Sequence, residues 1–436
     1  MNPHTSDLLS FLDASPCNFL AVESLRKRLE AKGFSELSMA DAWNLAPGDR
    51  RYVVKNHSAI FAFVVGSDPL AGFRIISAHS DSPGFRIKPN AEMVCAGNVL
   101  KLNTEVYGGP ILYTWFDRPL SLCGRVILRG KSPLKPQTRL LKIDRPLLTI
   151  PHLAIHYNRS VNEGNPLSKQ RDMLPVIAIL AEASEAKGFM TNLVARELGV
   201  NVSDILDYDL TLYDVTPACR FGINEEFISS GRIDDLMMAH AAEEALVASL
   251  DGENGAAVCP ATRVMAIFDN EETGSGTKQG AASPILRSIL ERICASYPGA
   301  GEETVLRAIA ESFMVSADNG HAIHPNYEAK QDPTNHPMLG GGPVVKINAN
   351  CKYMTDASSA AVFRSICEEA GVEVQTFVNH SDTPGGSTLG NILTSQIDLE
   401  GVDMGAPQWA MHSCRETAAV ADHLSTICLL YTSPSP

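Results

Sequence analysis

Four apolar, strand-like runs of this chain end in a side chain that can ligate a metal. Arg74-Ile75-Ile76-Ser77-Ala78 ends in His79-Ser80-Asp81, and Val264-Met265-Ala266-Ile267-Phe268 ends in Asp269-Asn270-Glu271-Glu272. Phe313-Met314-Val315-Ser316 leads to Asp318 and His321, Trp409-Ala410-Met411 precedes His412, and Asp234-Asp235 opens a helical pattern after Ser229-Ser230-Gly231. Taken singly, each has a structural explanation. A His-x-Asp after a strand makes a hydrogen-bonded turn, Glu-Glu a solvated face, and Asp-Asp a helix cap that complements the dipole. Their joint occurrence is harder to dismiss. In an open α/β sheet the ligand crevice lies beyond the carboxyl ends of the strands, so residues far apart in sequence converge there. Two histidines and several carboxylates, with no cysteine among them, suit Zn2+ in a hydrolytic role, with Mn2+ or Co2+ as alternatives.

The elements that must carry these residues can be read from periodicity. Ser15-Pro16 starts a helix that Gly33 ends, and Tyr52–Val54, Ala59–Val65 and Phe73–Ala78 read as strands of a buried sheet. From Glu92 to Phe221 short β-rich runs (Val99–Val106, Ile111–Phe116, Gly124–Leu128, Leu147–His156, Leu210–Val215) alternate with Gly- and Pro-rich turns, and one helix is expected around Met173–Ala186. After Gly222 helices and strands alternate: helix Asp234–Leu250, strand Arg263–Phe268, helix Pro284–Tyr297, strand Phe313–Ser316. Strand Val344–Ile347, helix Ser358–Ala370, strand Glu373–Val378 and helix Ala418–Leu430 complete the series. The pattern predicts an α/β fold with a mixed, mostly parallel sheet flanked by helices. It is carried by a discontinuous domain, 1–91 with 222–436, interrupted by a β-rich insert at 92–221. The Ser/Pro tail Tyr431–Pro436 reads as disordered or foreign to the native end.

Composition narrows the function classes. Across 436 residues, 36 Lys+Arg against 50 Asp+Glu give a formal net charge of −14. That field repels nucleic acid and anionic membranes, so neither is expected as a partner. No secretory leader pattern is visible at the N-terminus, and apolar runs of about a dozen residues are too short to span a bilayer. Ten scattered cysteines without a C-x-x-C pair read as reduced thiols in a cytoplasmic protein. His152-Leu153-Ala154-Ile155-His156 has the spacing of a zincin helix but lacks its glutamate and lies in an alternating, β-like stretch. The glycine runs at Leu339–Pro343 and Gly385–Gly390 lack the lysine and context of phosphate loops and read as tight turns.

Together the motifs His79-Ser80-Asp81-Ser82-Pro83, Asp269-Asn270-Glu271-Glu272-Thr273-Gly274 and Ser316-Ala317-Asp318-Asn319-Gly320-His321-Ala322 resemble the aspartyl aminopeptidase family of dinuclear zinc metallopeptidases, its bacterial members above all. Ile150–His156, Asp382-Thr383-Pro384-Gly385-Gly386 and Met411-His412-Ser413-Cys414-Arg415-Glu416 extend the likeness, in order, from the first helix to about Leu430. The resemblance implies a zinc-exopeptidase-like fold and two Zn2+ per subunit. His79 and Asp318 would hold one ion, Glu272 and His412 the other, with Asp234 bridging. It implies Asp81 as the partner that fixes the His79 tautomer and Glu271 as general base. His321 and Lys346 would meet an acidic first residue of a peptide with a free N-terminus. The insert would be a dimerisation domain whose His156, chosen over His152 on the same strand face, reaches the neighbouring subunit's site in a homo-oligomer, a tetrahedral dodecamer in the family. A deacylase or carboxypeptidase with the same two-metal core is the alternative enzyme. A non-catalytic assembly protein of this fold is the alternative outside enzymes, disfavoured because every ligand position and Glu271 are filled.

Overall fold

The computed structural model describes residues 2–250 and 258–432. The chain clusters into two compact units, one of 1–81, 218–411 and 416–436, the other of 82–217 with 412–415.

The first unit is built on a nine-stranded sheet. Its spatial order is Ser35–Glu36, Arg50–Lys55, Ala59–Val64, Thr262–Phe268, Phe73–His79, Phe313–Ala317, Glu400–Gly405, Val344–Ile347, Gln375–Val378. Five of the eight pairings are parallel and three antiparallel, so the mixed, mostly parallel sheet expected from sequence is present. Helices cover both faces, and the period-2 alternation of each strand shows why. Ile60, Ala62 and Val64 join Ile76, Ala78, Met265 and Ile267 in one core, against Leu8, Leu12, Leu25 and the helix Ile233–Ala248. Phe61, Phe63, Ile75, Val264, Ala266 and Phe268 join the other, against the helix Ile285–Cys294. A strand buried on both faces has no polar side, which is why these runs read as continuous apolar stretches. A separate five-stranded sheet, Cys219–Phe221, Phe227–Ser230, Glu416–Ala419, Pro407–Trp409 and Gly320–His321, lies in the same unit.

The second unit holds a six-stranded antiparallel sheet: Lys135–Lys142, Leu120–Ser132, Ile205–Asp214, Gly84–Cys95, Val99–Tyr107, Val176–Ile179. The structure corrects three local expectations in this unit. The helix expected over Met173–Ala186 is instead the strand Val176–Ile179, followed by a short 3-10 turn at Ala183–Ala186. Pro175 and the β-branched Val176, Ile177 and Ile179 favour extended backbone, and pairing with Val99–Lys101 fixes it. The unit's helix is Phe189–Leu198. Ile111–Phe116 is a 3-10 turn over Leu112–Trp115, not a strand. Leu147–His156 makes only isolated bridges at Leu148, Thr149 and Ile150 before leaving the sheet. In the first unit the last helix runs Val420–Thr432, so the expected tail loses Tyr431 and Thr432 to it, and its remainder lies outside the described residues.

Candidate active site

Three parallel strands lie side by side at the centre of the large sheet, with Phe268 in register with His79 and Ser316 with Ser77. Adjacent strands sit ~4.8 Å apart, so the residues just beyond their carboxyl ends must share one rim. His79, the Asp269–Glu272 turn and Asp318 are placed there by register alone. On the next strand Gly405 closes the rim: a Cβ at this position would sit 1.7 Å from the Asp318 carbonyl oxygen, so only glycine lets that strand approach. Asp234 and Asp235 come from the lead-in to the helix Ile233–Ala248 and are joined by a cis peptide bond. Their backbone is not helical, and the regular turns begin after Asp235 on the strong helix formers Leu236, Met237, Met238 and Ala239.

The carboxylates and His79 are interlocked. His79 Nδ1 lies 3.1 Å from the Asp81 carbonyl and 3.4 Å from its Oδ1, and Nε2 lies 3.4 Å from Asp234 Oδ1. The Asp81 carboxylate accepts the backbone N–H groups of Glu271 (3.1 Å) and Glu272 (3.2 Å), so it pins the glutamate turn as well as the imidazole. Asp235, which sequence reasoning passed over in favour of Asp234, is fully buried. It accepts the N–H of His79 at 3.0 Å and that of Asn319 at 3.2 Å, and so ties two of the strand ends together. Glu416, also passed over, accepts the Asp234 N–H at 3.1 Å. The Asp-Asp pair and the C-terminal motif did flag both, but a backbone-holding role leaves no spacing signature.

Ligand atoms of His79, Asp234, Asp235 and Asp318 lie within 4.8 Å of one another, and so do those of His79, Glu271 and Glu272. Such crowding of acids in a buried place strains their ionisation. Burial pushes the Glu271 carboxyl up to about 8; the His79 charge opposes this and those of Asp318, Asp81 and Asp234 add to it. Glu272 and Asp235 are driven well above the carboxylate range, by burial first. Burial would lower His79, but the Asp235 charge and hydrogen bonds with Asp234 and Asp81 hold it above the imidazole range. A cation relieves every one of these tensions, and nitrogen and oxygen donors without sulfur fit a zinc site of the hydrolytic kind.

The other expected residues have varied surroundings. Lys346 is 4% exposed, and its ammonium donates to Asp318 Oδ1 (2.8 Å) and the Asn319 carbonyl (2.9 Å). In the structure it is paired with an internal carboxylate. His321 is exposed and packs edge-on to Phe377 at 6.0 Å. His412 opens the 412–415 segment of the second unit, with positive φ, and its Nδ1 lies 3.1 Å from the Gly109 carbonyl. His152 and His156 do not share a strand face. His152 stacks on Phe116 at 4.3 Å and its N–H donates to Asp117, while His156 sits exposed in a turn closed by Tyr157 N–H to the Ala154 carbonyl.

An imidazole and acids gathered at the carboxyl ends of parallel strands define a metal-dependent hydrolase of the α/β class. Comparison with known proteins specifies it further. The family model described as aminopeptidase I zinc metalloprotease (M18) matches residues 11–432. A probable M18 family aminopeptidase 2 of Clostridium novyi is 48% identical over 96% of this chain and 95% of its own length. A cryo-EM structure of the Ape4 and Nbr1 complex aligns with TM-score 0.93 and 35% identity, covering 98% of this chain and 85% of that one. The structure of the S. cerevisiae mApe1 dodecamer aligns with TM-score 0.84 over 98% of this chain and 95% of that one. At 24% identity it speaks for the fold alone. The chain belongs to the M18 family of zinc metalloproteases and is a metalloaminopeptidase of it. No helix among the described residues is long and apolar enough to cross a membrane.

Proposed function

We propose that this aminopeptidase removes the N-terminal residue, preferably Asp or Glu, from peptides with a free N-terminus, using two Zn2+ per subunit. In this reading His79 and Asp318 hold one ion, Glu272 and His412 the other, and Asp234 bridges them. The observation that carries it is the ring of ligand atoms within 4.8 Å at one sheet rim, with Glu271 beside the ligand Glu272 on the same turn. Bound zinc supplies Lewis acidity toward the scissile carbonyl and the attacking water. The chain's own residues do the rest. Glu271 takes the water's proton on its carboxylate and delivers it to the leaving amine. Asp81 orients both His79 and the glutamate turn, and Asp235 and Glu416 hold the backbone that presents the ligands. His321 contacts the acidic side chain, and Lys346 acts through Asp318.

Initial rates on dipeptides differing only in the first residue, after chelation and metal add-back, test this directly. Asp and Glu should lead the panel, zinc should restore the rate, and an N-acetylated peptide should be inert. Full-rate hydrolysis of the blocked peptide would point to the deacylase or carboxypeptidase alternative. The reading also makes the protein a cytoplasmic homo-oligomer, a tetrahedral dodecamer built through the insert, with His156 completing a neighbour's site. Ten scattered cysteines without a C-x-x-C pair support the compartment, and the family resemblance carried by the sequence motifs supports the assembly. A fully active monomer on a sizing column would reject it.

A further inference from the structure

A cavity of about 300 Å³ in the first unit has a charge opposite to that of the protein as a whole. His321, His324, Lys330 and His380 line it, Phe377 and Trp409 form apolar wall, and no Asp or Glu is among its lining residues. In a chain of net charge −14, four basic side chains around one hollow without an acid is a local inversion. Two of the histidines are held in a donating state. The backbone N–H of Asn326 donates to His324 Nδ1 at 3.2 Å, and that of Asp382 donates to His380 Nδ1, also at 3.2 Å. An imidazole whose Nδ1 accepts carries its proton on Nε2, so each ring offers an N–H even when uncharged. The nearest acid to His380 is Asp382, 94% exposed and 4.0 Å away on the Nδ1 side. Lys330 makes no ion pair among the described residues. Lys346, by contrast, is engaged by Asp318.

We propose that His324, Lys330 and His380 form an anion site that binds a carboxylate of the peptide substrate. The inference rests on the aminopeptidase reading and adds residues that neither the ligand set nor His321 and Lys346 include. The chain from Asp318 to His321 is three residues, so the cavity begins within about 10 Å of a ligand of the rim. Two peptide carboxylates come within that reach, the side chain of an acidic first residue and the C-terminus of a very short peptide. Two imidazole N–H donors and an ammonium suit either.

Three tripeptides separate the sources: Asp-Ala-Ala-amide carries only the side-chain carboxylate, Ala-Ala-Ala only the terminal one, and Ala-Ala-Ala-amide neither. With Lys330→Ala or His380→Ala, kcat/KM relative to Ala-Ala-Ala-amide should fall about tenfold or more for one of the two carboxylate substrates, through KM. The substrate affected names the source, and His380→Gln should restore part of the loss. An unchanged ratio for both substrates would overturn the proposal. Titration calorimetry of glutarate into chelated, zinc-free protein needs no turnover. The wild type should bind it and Lys330→Ala should bind at least tenfold more weakly; no binding to the wild type would overturn the site even in an active enzyme. Glutarate binding together with no preference for an acidic first residue would sink the acidic-substrate reading and leave the anion site standing.

Discussion

Among the described residues, the first unit gathers histidine and carboxylates at the sheet rim and again among the helices, and only the rim is short of positive charge. At the sheet rim, Asp234, Asp235, Asp318, Glu271 and Glu272 crowd around His79, and Lys346 pairs with Asp318. Among the helices, Asp7, His240, Glu243 and Glu244 meet in similar fashion, and ligand atoms of Asp7, His240 and Glu244 are also close enough to share an ion. There Arg28 fills the centre. Its guanidinium lies 2.7 Å from Asp7, 2.7 Å from Glu243 and 2.8 Å from Glu244. A planar, permanently charged fork satisfies several carboxylates at once. Ligand geometry therefore does not make a metal centre by itself. What distinguishes the rim is that the fold supplies no cation equal to its acids.

The largest test of that contrast is catalytic. Glu271→Gln should lower kcat by about three orders of magnitude, on the order of 4 kcal/mol of barrier, while zinc content by atomic absorption stays at the wild-type value. Turnover near wild type would remove Glu271 as the base. Next in size is Arg28→Met, which leaves Glu243 and its neighbours without their partner and should cost about 3 kcal/mol of stability by urea titration. Its zinc content should not rise. An extra ion per subunit would show that the helix cluster is a metal site held shut by one arginine. Chelation should act on the other cluster, and zinc restored at a hundredfold excess over its Kd should return about 2.7 kcal/mol to the folded state. A melting temperature indifferent to zinc would deny the rim its cation.

The smallest effect concerns pH. Burial drives His423 well below the imidazole range, with the neighbouring His240 charge adding, and burial lowers His240 too. The unfolded chain then binds protons below about pH 6.5 that the folded chain refuses, so this contribution is present above 6.5 and is lost as pH falls. Glu243, pushed up to about 7 by burial, works in the opposite sense, since its folded form holds a proton that the unfolded form releases above about 4.5. His423→Gln should therefore flatten the acid-side loss of stability by at most about 1.4 kcal/mol per pH unit. An unaltered slope would show that His423 already titrates in the folded state.

Much of the rim was legible because strand ends announce themselves. An apolar run that stops at His79, at Asp269 or just before Asp318 states where the sheet ends, and parallel register brings those ends together. The residues that hold the backbone were not legible. Asp235 and Glu416 act through N–H groups of His79, Asn319 and Asp234, and a hydrogen bond to backbone carries no pattern in side-chain types. The Lys346–Asp318 pair was not legible either, because a buried lysine's need for an anion does not say which anion meets it. In the second unit, the error over Met173–Ala186 came from reading a short apolar run by its length. Pairing partners such as Val99–Lys101 decide helix against strand there, and they lie more than seventy residues away.

The order in which the rim residues occur along the chain has a consequence for biosynthesis. His79 precedes Asp318 by more than two hundred residues, with Asp234 and Glu272 between them. A nascent chain that has emerged only through the Thr262–Phe268 strand still lacks Asp318, and its neighbour strand Phe313–Ala317 is missing from the sheet. Under the proposed ligand set the last residue to arrive is His412, so a translation product that stops short of it would lack a complete site and stay inactive.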